Sequence, residues 1–172
     1  RRMGRRVSAD DTRRLLDAIR TTCPGITIRT TFLVGFPGET EAMQRELVEF
    51  VETFQFDRLG VFTYSAEPGT PALDLDLPPV PKEVAEERRG ELLELQQQIS
   101  QSRNDALVGQ TLDVLIEECT GPGEFLGRTQ ADAPDIDNCV HVNGPDGCLE
   151  LGLVPVTITH ADPYDLIGEA AL

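Results

Sequence analysis

Two closely spaced glycines follow a short apolar run, and here the residue types first indicate chemistry. Phe32, Leu33 and Val34 form the run, and Gly35 and Gly38 follow it. Such a run, bounded by turn residues, predicts a strand that is buried on both faces. Glycine tolerates backbone geometry that other residues avoid, and it lets a ligand come close to the main chain. Because ligands of α/β proteins bind at the carboxyl ends of parallel strands, the spacing predicts a ligand-binding turn.

The residues after the first glycine indicate how this turn is positioned. Pro37 stiffens the turn, and Glu39 and Thr40 begin the acidic first turn of a helix. Apolar residues at helical spacing predict an amphipathic helix over residues 41–54. Residues 56–65 predict a second strand, and this alternation of helix and strand is typical of βαβ units in a parallel sheet.

Helices are also predicted on either side of this unit. Ser8 and Asp11 have the spacing of a capping box, at the start of an amphipathic helix that ends before Cys23. Residues 82–107 predict one long helix whose glutamines and arginines form a solvated face. Only about two strands precede it, which is fewer than a self-sufficient parallel sheet needs. We therefore expect the chain to be a fragment of a longer protein.

After Gly109 the pattern changes to short segments in which apolar and polar residues alternate, separated by turn residues. Short strands are typical of a small β-barrel, and the size of this part of the chain fits an OB-like module. The strands are predicted over residues 111–118, 127–129, 140–142, 149–151 and 154–159.

Charge is distributed unevenly along the chain. The formal net charge is -15, and residues 108–172 contribute -11 of it, with Arg128 as the single basic residue against twelve acidic ones. A nucleic-acid-binding surface carries the opposite sign, so we expect no nucleic-acid partner. Two interpretations remain for the acidic part: it keeps the protein in solution, or it docks a basic partner.

The four cysteines do not have the spacing of a metal or disulfide motif. They lie at Cys23, Cys119, Cys139 and Cys148, and His141 near Cys139 adds only one further donor. We expect reduced thiols and no metal site. No apolar run approaches the length of a membrane span, so we expect a cytoplasmic protein without a membrane partner.

Several motifs, taken in this order, resemble the C-terminal part of the radical-SAM methylthiotransferases. Residues 33–40 resemble the "IVGFPGET" segment of that family, and residues 2–5 resemble its "RMxR" element. Residues 62–72 are similar to its "FxYS…GTPA" segment, residues 95–104 to its long connecting helix, and residues 108–169 to its TRAM domain.

The resemblance implies an α/β fold with two parts. Residues 1–81 are expected to be the C-terminal part of a radical-SAM partial TIM barrel. Residues 82–107 form a connecting helix, and residues 108–172 form a small antiparallel β-barrel, the OB-like TRAM domain.

Two branches of the family differ in substrate. Residues 56–62, Ala66 with Glu67, and residues 127–137 resemble the RimO type, which modifies the β-carbon of an aspartate on small-subunit ribosomal protein twelve. The other branch modifies a tRNA adenosine and stays as an alternative, as does a non-catalytic α/β plus β-barrel binding module. The acidic tail agrees with the RimO type, because it would attract a basic ribosomal protein and repel tRNA.

The resemblance also implies cofactors. The family cleaves S-adenosylmethionine with a 4Fe-4S cluster held by CxxxCxxC, and a second 4Fe-4S cluster takes part in sulfur insertion. The cysteines of this chain match neither ligand set. We therefore assign no catalytic residue and no metal ligand here, and we expect the chain alone to be inactive.

Two groups of site residues follow from the resemblance. In the S-adenosylmethionine pocket, the implied residues line the adenine side, shape the turn, or meet the ligand carboxylate: Leu33, Gly35, Gly38, Glu39, Phe62, Tyr64 and Arg5. In the tail, the implied contacts to the protein substrate are Arg128, Asp132, Asp135 and Asp137.

Overall fold

In the computed structural model, the described residues are 6–134, 136–145 and 152–171. They divide into two units, Arg1–Glu94 and Leu95–Leu172, and the division falls inside a long helix. Arg5, Asp135, Cys148 and the predicted strand over residues 149–151 lie outside the described residues. The division into residues 1–81, 82–107 and 108–172 stays a prediction. In the part of the chain that is described, no helix is long and apolar enough to cross a membrane.

The first unit alternates helix and strand as the sequence predicts. Its elements are α1 (Ala9–Thr22), β1 (Arg29–Val34), α2 (Glu41–Phe54), β2 (Arg58–Thr63), a short 3-10 helix (Pro71–Asp74) and the first half of α3 (Lys82–Asp105). Strands β1 and β2 pair in parallel, which confirms the βαβ prediction. The radical-SAM partial barrel itself stays a proposal, because the described sheet of this unit has two strands.

Side-chain caps set the starts of α1 and α2. The Ser8 side chain accepts from the backbone N–H of Asp11, and the Asp11 side chain accepts from Ser8, so the predicted capping box is present. The Thr40 side chain accepts from the backbone N–H of Met43, at 3.3 Å, and starts α2 directly after the glycine turn.

The core of the first unit lies on one face of the sheet, where a cluster of aromatic rings packs beside buried aliphatic side chains. Phe56 is buried, and its ring lies 4.5 Å from the Phe54 ring and 5.8 Å from the Phe32 ring. The prediction that β1 is buried on both faces is wrong, because Leu33 on the other face is 36% exposed and its register partner Phe62 is 62% exposed. A sheet of two strands with helices on one side leaves these apolar side chains uncovered.

Helix α3 is not simply solvated along its polar face. Arg88 and Gln96 are each only 7% exposed, so the prediction of a solvated face is wrong at these positions. For Arg88 the reason is that its partner lies on another segment, since it forms an ion pair with Glu39, which precedes α2. The spacing of apolar residues predicts which face of a helix is buried. It does not predict that a polar residue is buried by pairing with a distant residue.

The second unit is a closed five-stranded barrel. Its strands are β3 (Thr111–Gly121), β4 (Glu124–Thr129), β5 (Val140–Asn143), β6 (Gly152–Ala161) and β7 (Leu166–Ala170), in the spatial order β3-β4-β5-β7-β6. The small barrel is therefore confirmed. The prediction that it is antiparallel is wrong at one pair, because β7 returns between β5 and β6 and runs parallel to β5.

Alternate residues of the strands fill the barrel. The core consists mainly of β-branched side chains, with Phe125, Ala161 and Leu166 completing it: Val114, Ile116, Val140, Val142, Val156 and Ile158. Gly168 of β7 occupies an inward position where a Cβ would lie 2.5 Å from Val156 Cγ1 and 2.7 Å from the Thr157 carbonyl oxygen. The sequence pattern does not predict β7, because its five residues place a glycine where alternation expects an apolar side chain.

The tight approach at Gly168 generates a prediction about stability. Gly168→Ala should lower the free energy of unfolding of the barrel by about 1–3 kcal/mol, because the new methyl group overpacks the core. Gly90→Ala is the matched control. A Cβ there meets no atom within 4 Å, so we expect a gain of about 0.5–1 kcal/mol in a helix interior. Urea unfolding of the 172-residue chain measures both, and equal stabilities would contradict the packing argument.

Candidate functional site

A cleft lies where the two parallel strands of the first unit end. Gly35 follows β1 and Tyr64 follows β2, and the Tyr64 backbone N–H donates to the Val34 carbonyl at 2.8 Å. The cleft has a volume of about 440 Å³. It is lined by the strand ends, by the proline-rich loop before α3 and by the start of α3 itself, including Lys82 and Ala85.

The glycine turn has the backbone geometry that the sequence predicts. Gly35 and Gly38 have φ values of +78° and +80°, a region that other residues rarely adopt. A Cβ on Gly35 would also lie 2.6 Å from the Cβ of Ala85, so the glycine lets α3 pack closely on the turn. The Gly38 N–H donates to the Pro78 carbonyl at 2.8 Å and ties the turn to the loop before α3.

Glu39 folds back onto this turn. Each of its carboxylate oxygens lies 3.1 Å from the backbone nitrogen of Gly35. Arg88 Nη1 donates to Glu39 Oε1 at 2.7 Å, and the two side chains are only 9% and 15% exposed. A second carboxylate, Glu41, approaches Arg88 at 3.7 Å but is 67% exposed. Glu39 and Arg88 therefore form a buried ion pair that fixes the turn.

Tyr64 carries a polar atom without a partner at the cleft. Its ring packs edge-on against Phe36, with 5.2 Å between ring centroids. Its hydroxyl is buried and has no hydrogen-bond partner among the residues that the structure describes. Buried hydroxyls are usually satisfied, so this one marks a place where the polar group of a ligand would be favourable.

The implied pocket residues fall into three places. Gly35 and Tyr64 line the cleft. Gly38 and Glu39 do not line the cleft but fix the turn through their hydrogen bonds. Leu33 and Phe62 do not line the cleft but lie side by side on the exposed face of the sheet.

Two residues of this region were missed by the sequence analysis. Arg88 is buried against Glu39, and Lys82 lines the cleft. Lys82 is the single lysine of the chain and follows a proline-rich stretch, a signal that could have drawn attention to it. Nothing in the sequence around Arg88 distinguishes it from the neighbouring arginine of the same helix.

The implied docking residues form a loop after β4. Arg128 Nε donates to Glu117 Oε1 at 2.9 Å, and Arg128 Nη1 donates to the Asp132 carbonyl at 3.2 Å. Asp132 is only 6% exposed and accepts from Thr129 Oγ1 at 2.7 Å. Asp137 Oδ2 accepts from the Ala133 N–H at 2.8 Å. The described members of this group thus lie together, and they bond within the barrel and its loop.

The exposed acids of the barrel lie elsewhere. They are distributed over several strands and the turn after β6: Asp113, Glu117, Glu118, Glu124, Asp162 and Glu169. Glu117 pairs with Arg128, and Asp162 lies 3.6 Å from His160 Nε2, whereas the remaining side chains present a negative surface to solvent. The negative charge of this surface is unfavourable for binding the phosphates of a nucleic acid.

The described cysteines do not form a cluster-binding set. Cys23 and Cys119 are exposed, and all three described cysteines are free thiols. Burial, reinforced by the neighbouring Asp165, raises the pKa of the Cys139 thiol to about 11. An iron–sulfur cluster needs several cysteine thiolates around one point, and the described part of the chain does not place even two at one site.

The buried ion pair generates a prediction about the turn. Glu39→Ala should lower the free energy of unfolding by about 3–5 kcal/mol, because it leaves the buried Arg88 guanidinium without its main partner. Glu41→Ala removes the exposed carboxylate near the same arginine and should cost less than about 1 kcal/mol. Chemical denaturation of both variants tests the difference. Equal losses would show that burial of the pair does not matter.

Comparisons with known proteins agree with the motifs. Residues 108–171 match the TRAM domain family. Relatives named ribosomal protein uS12 methylthiotransferase RimO include one from Synechocystis sp., 49% identical over 91% of this chain and 35% of the relative. Another, from Desulfitobacterium hafniense, is 46% identical over 97% of this chain and 37% of the relative.

The chain spans about a third of the length of the curated relatives that it matches. The matched region includes both the glycine turn and the barrel, since it extends over nearly the whole chain. The matches confirm the resemblance to the RimO type, and the chain, with its TRAM domain, fits a C-terminal part of such a protein.

Proposed function

We propose that this chain is part of a radical-SAM enzyme that methylthiolates the β-carbon of an aspartate on ribosomal protein uS12, in the cytoplasm. The observation that carries the proposal is the identity of 46–49% to proteins of that name over more than nine-tenths of the chain. The activity belongs to the whole protein. The chain contributes a wall of the cofactor pocket and a barrel that docks the substrate.

S-adenosylmethionine fits the cleft in the first unit. The volume of about 440 Å³ lies in the range of small-molecule sites. The Tyr64 hydroxyl offers a buried partner for a polar group of the ligand, and the Lys82 ammonium offers a counter-charge for its carboxylate. Leu33 and Phe62 lie on the uncovered sheet face outside this cleft, so their contact with the adenine stays a candidate, as does that of Arg5 with the carboxylate.

S-adenosylmethionine, when bound, supplies the hydrogen-abstracting chemistry and the methyl group. The residues of this chain bind and orient it: Glu39 and Arg88 hold the turn on which Gly35 stands, and Gly38 joins that turn to the loop before α3. The iron–sulfur clusters that the family implies do not fit the described cysteines. We therefore assign no electron transfer to this chain.

The barrel is proposed to dock a basic protein. Its exposed acids give a negative surface, and complementary charge accelerates and orients association. In the loop after β4, Asp132 accepts a hydrogen bond from the Thr129 hydroxyl, and Asp137 accepts one from the Ala133 N–H. These two bonds hold the shape of the loop surface. Arg128 is held by Glu117 in the same region, and Asp135 stays an untested candidate for direct contact. The tRNA-modifying alternative is disfavoured by the sign of this surface.

A chimera tests the proposed activity. Replacing the matching third of the Synechocystis relative by residues 1–172 should preserve methylthiolation of uS12, detected as a mass increase on the modified peptide. Within the chimera, Lys82→Gln should raise the S-adenosylmethionine concentration for half-maximal rate at least tenfold, since the carboxylate loses its counter-charge. Glu83→Gln is the neighbouring control. A correctly folded chimera that modifies tRNA instead of uS12 would overturn the proposal.

Charge reversal tests the docking surface. Glu118→Lys with Glu124→Lys changes two exposed acids of the barrel and should weaken binding of purified uS12 to the chain at least tenfold at low salt. Glu49→Lys with Glu52→Lys makes the same change of net charge on the exposed side of α2 and should leave binding nearly unchanged. Equal weakening by both pairs would mean that only net charge matters and that the barrel has no docking surface.

A further inference from the structure

Three side chains with metal-binding atoms converge on the outside of the barrel. Cys139 Sγ lies 3.6 Å from His141 Nε2 and 3.3 Å from Asp165 Oδ1. All three donor atoms lie within 4.8 Å of one another. Among the described residues, this is the one group of three or more such side chains that could hold a single ion. It lies in the barrel and shares no residue with the cleft of the first unit.

The parallel strand pair brings these residues together. Cys139 directly precedes β5 and Asp165 directly precedes β7, and the two strands run side by side with Val140 opposite Leu166. The Leu166 N–H donates to the Cys139 carbonyl at 3.0 Å, and the Cys139 N–H donates to Asp165 Oδ1 at 3.0 Å. The backbone of the barrel therefore fixes the cysteine and the aspartate relative to each other.

The alternating side-chain directions along β5 place His141 on the same outer side of the strand as Cys139. Val140 and Val142 point into the core and are each 1% exposed. Their neighbours Cys139 and His141 therefore point outward, two residues apart on one side of the strand. His141 is exposed and Cys139 is half-buried, so the group is open to an ion from solvent.

The two separations from sulfur are close to those of tetrahedral coordination, and the nitrogen and oxygen lie within 4.8 Å of each other. With Zn–S near 2.3 Å and Zn–N or Zn–O near 2.1 Å, tetrahedral angles place sulfur about 3.6 Å from each of the other donors. The observed separations from sulfur are 3.6 Å to nitrogen and 3.3 Å to oxygen. Thiolate and imidazole are ligands that Zn²⁺ accepts readily, whereas Mg²⁺ and Ca²⁺ prefer sites made only of oxygen.

We propose that Cys139, His141 and Asp165 bind a Zn²⁺ ion, with water as the fourth ligand. The ion would join the start of β5 to the turn before β7, the parallel pair that closes the barrel. Metal binding displaces the thiol proton of Cys139, and the resulting thiolate, imidazole and carboxylate form the ligand set. The sequence alone offered only Cys139 and His141, because Asp165 joins them through the strand pairing.

Cobalt(II) titration of the full 172-residue chain tests this site. We expect one equivalent of Co²⁺ to produce a thiolate-to-cobalt charge-transfer band and visible tetrahedral bands, which Zn²⁺ then abolishes by competition. Cys139→Ser should remove the charge-transfer band, and Asp165→Asn should weaken binding at least tenfold. Cys119→Ser and Asp162→Asn, a thiol and a carboxylate of the same barrel outside the group, should bind as the unaltered chain does.

His141→Ala keeps the test decisive if another variant fails to fold. The His141 side chain is exposed, so its removal should leave the circular dichroism spectrum unchanged while weakening cobalt binding at least tenfold. Absence of a charge-transfer band from the unaltered chain would overturn the proposal. So would a band that survives Cys139→Ser, or binding that is unchanged in folded His141→Ala.

Discussion

The candidate site depends on one buried ion pair. Glu39 accepts from the Gly35 N–H with both oxygens, and its charge is balanced by Arg88 from α3. The same helix presses Ala85 against Gly35, where no side chain would fit. The turn after β1 is therefore held from two sides, by charge and by close packing. Holding a cleft wall in place before a ligand arrives lowers the ordering cost of binding.

The barrel depends on a different constraint, its closure. A strand that returns between β5 and β6 leaves no open edge in the closed sheet, and it must run parallel to β5 to do so. Gly168 permits this strand to approach β6 closely. The same parallel pairing places Cys139 beside Asp165, so the closure of the fold and the proposed zinc site have one structural origin.

The sequence could predict the features that arise from local pattern. The capping box of Ser8, the helix over residues 41–54 and the glycine turn follow from spacing and backbone preference, and the motifs in order identified the family. It could not reveal Arg88 as buried or Asp165 as a neighbour of Cys139, because both depend on contacts between distant segments. The exposure of Leu33 and Phe62 was also missed, since an apolar run does not tell how many faces of a strand are covered.

Hydrogen exchange at the Gly35 amide tests the central claim about the turn most directly. This N–H donates to the carboxylate of Glu39 and lies at the wall of the cleft. We expect strong protection in the unaltered chain, loss of protection at Gly35 in Glu39→Ala, and retained protection in Glu41→Ala. An unprotected Gly35 amide in the unaltered chain, or equal protection in both variants, would contradict it.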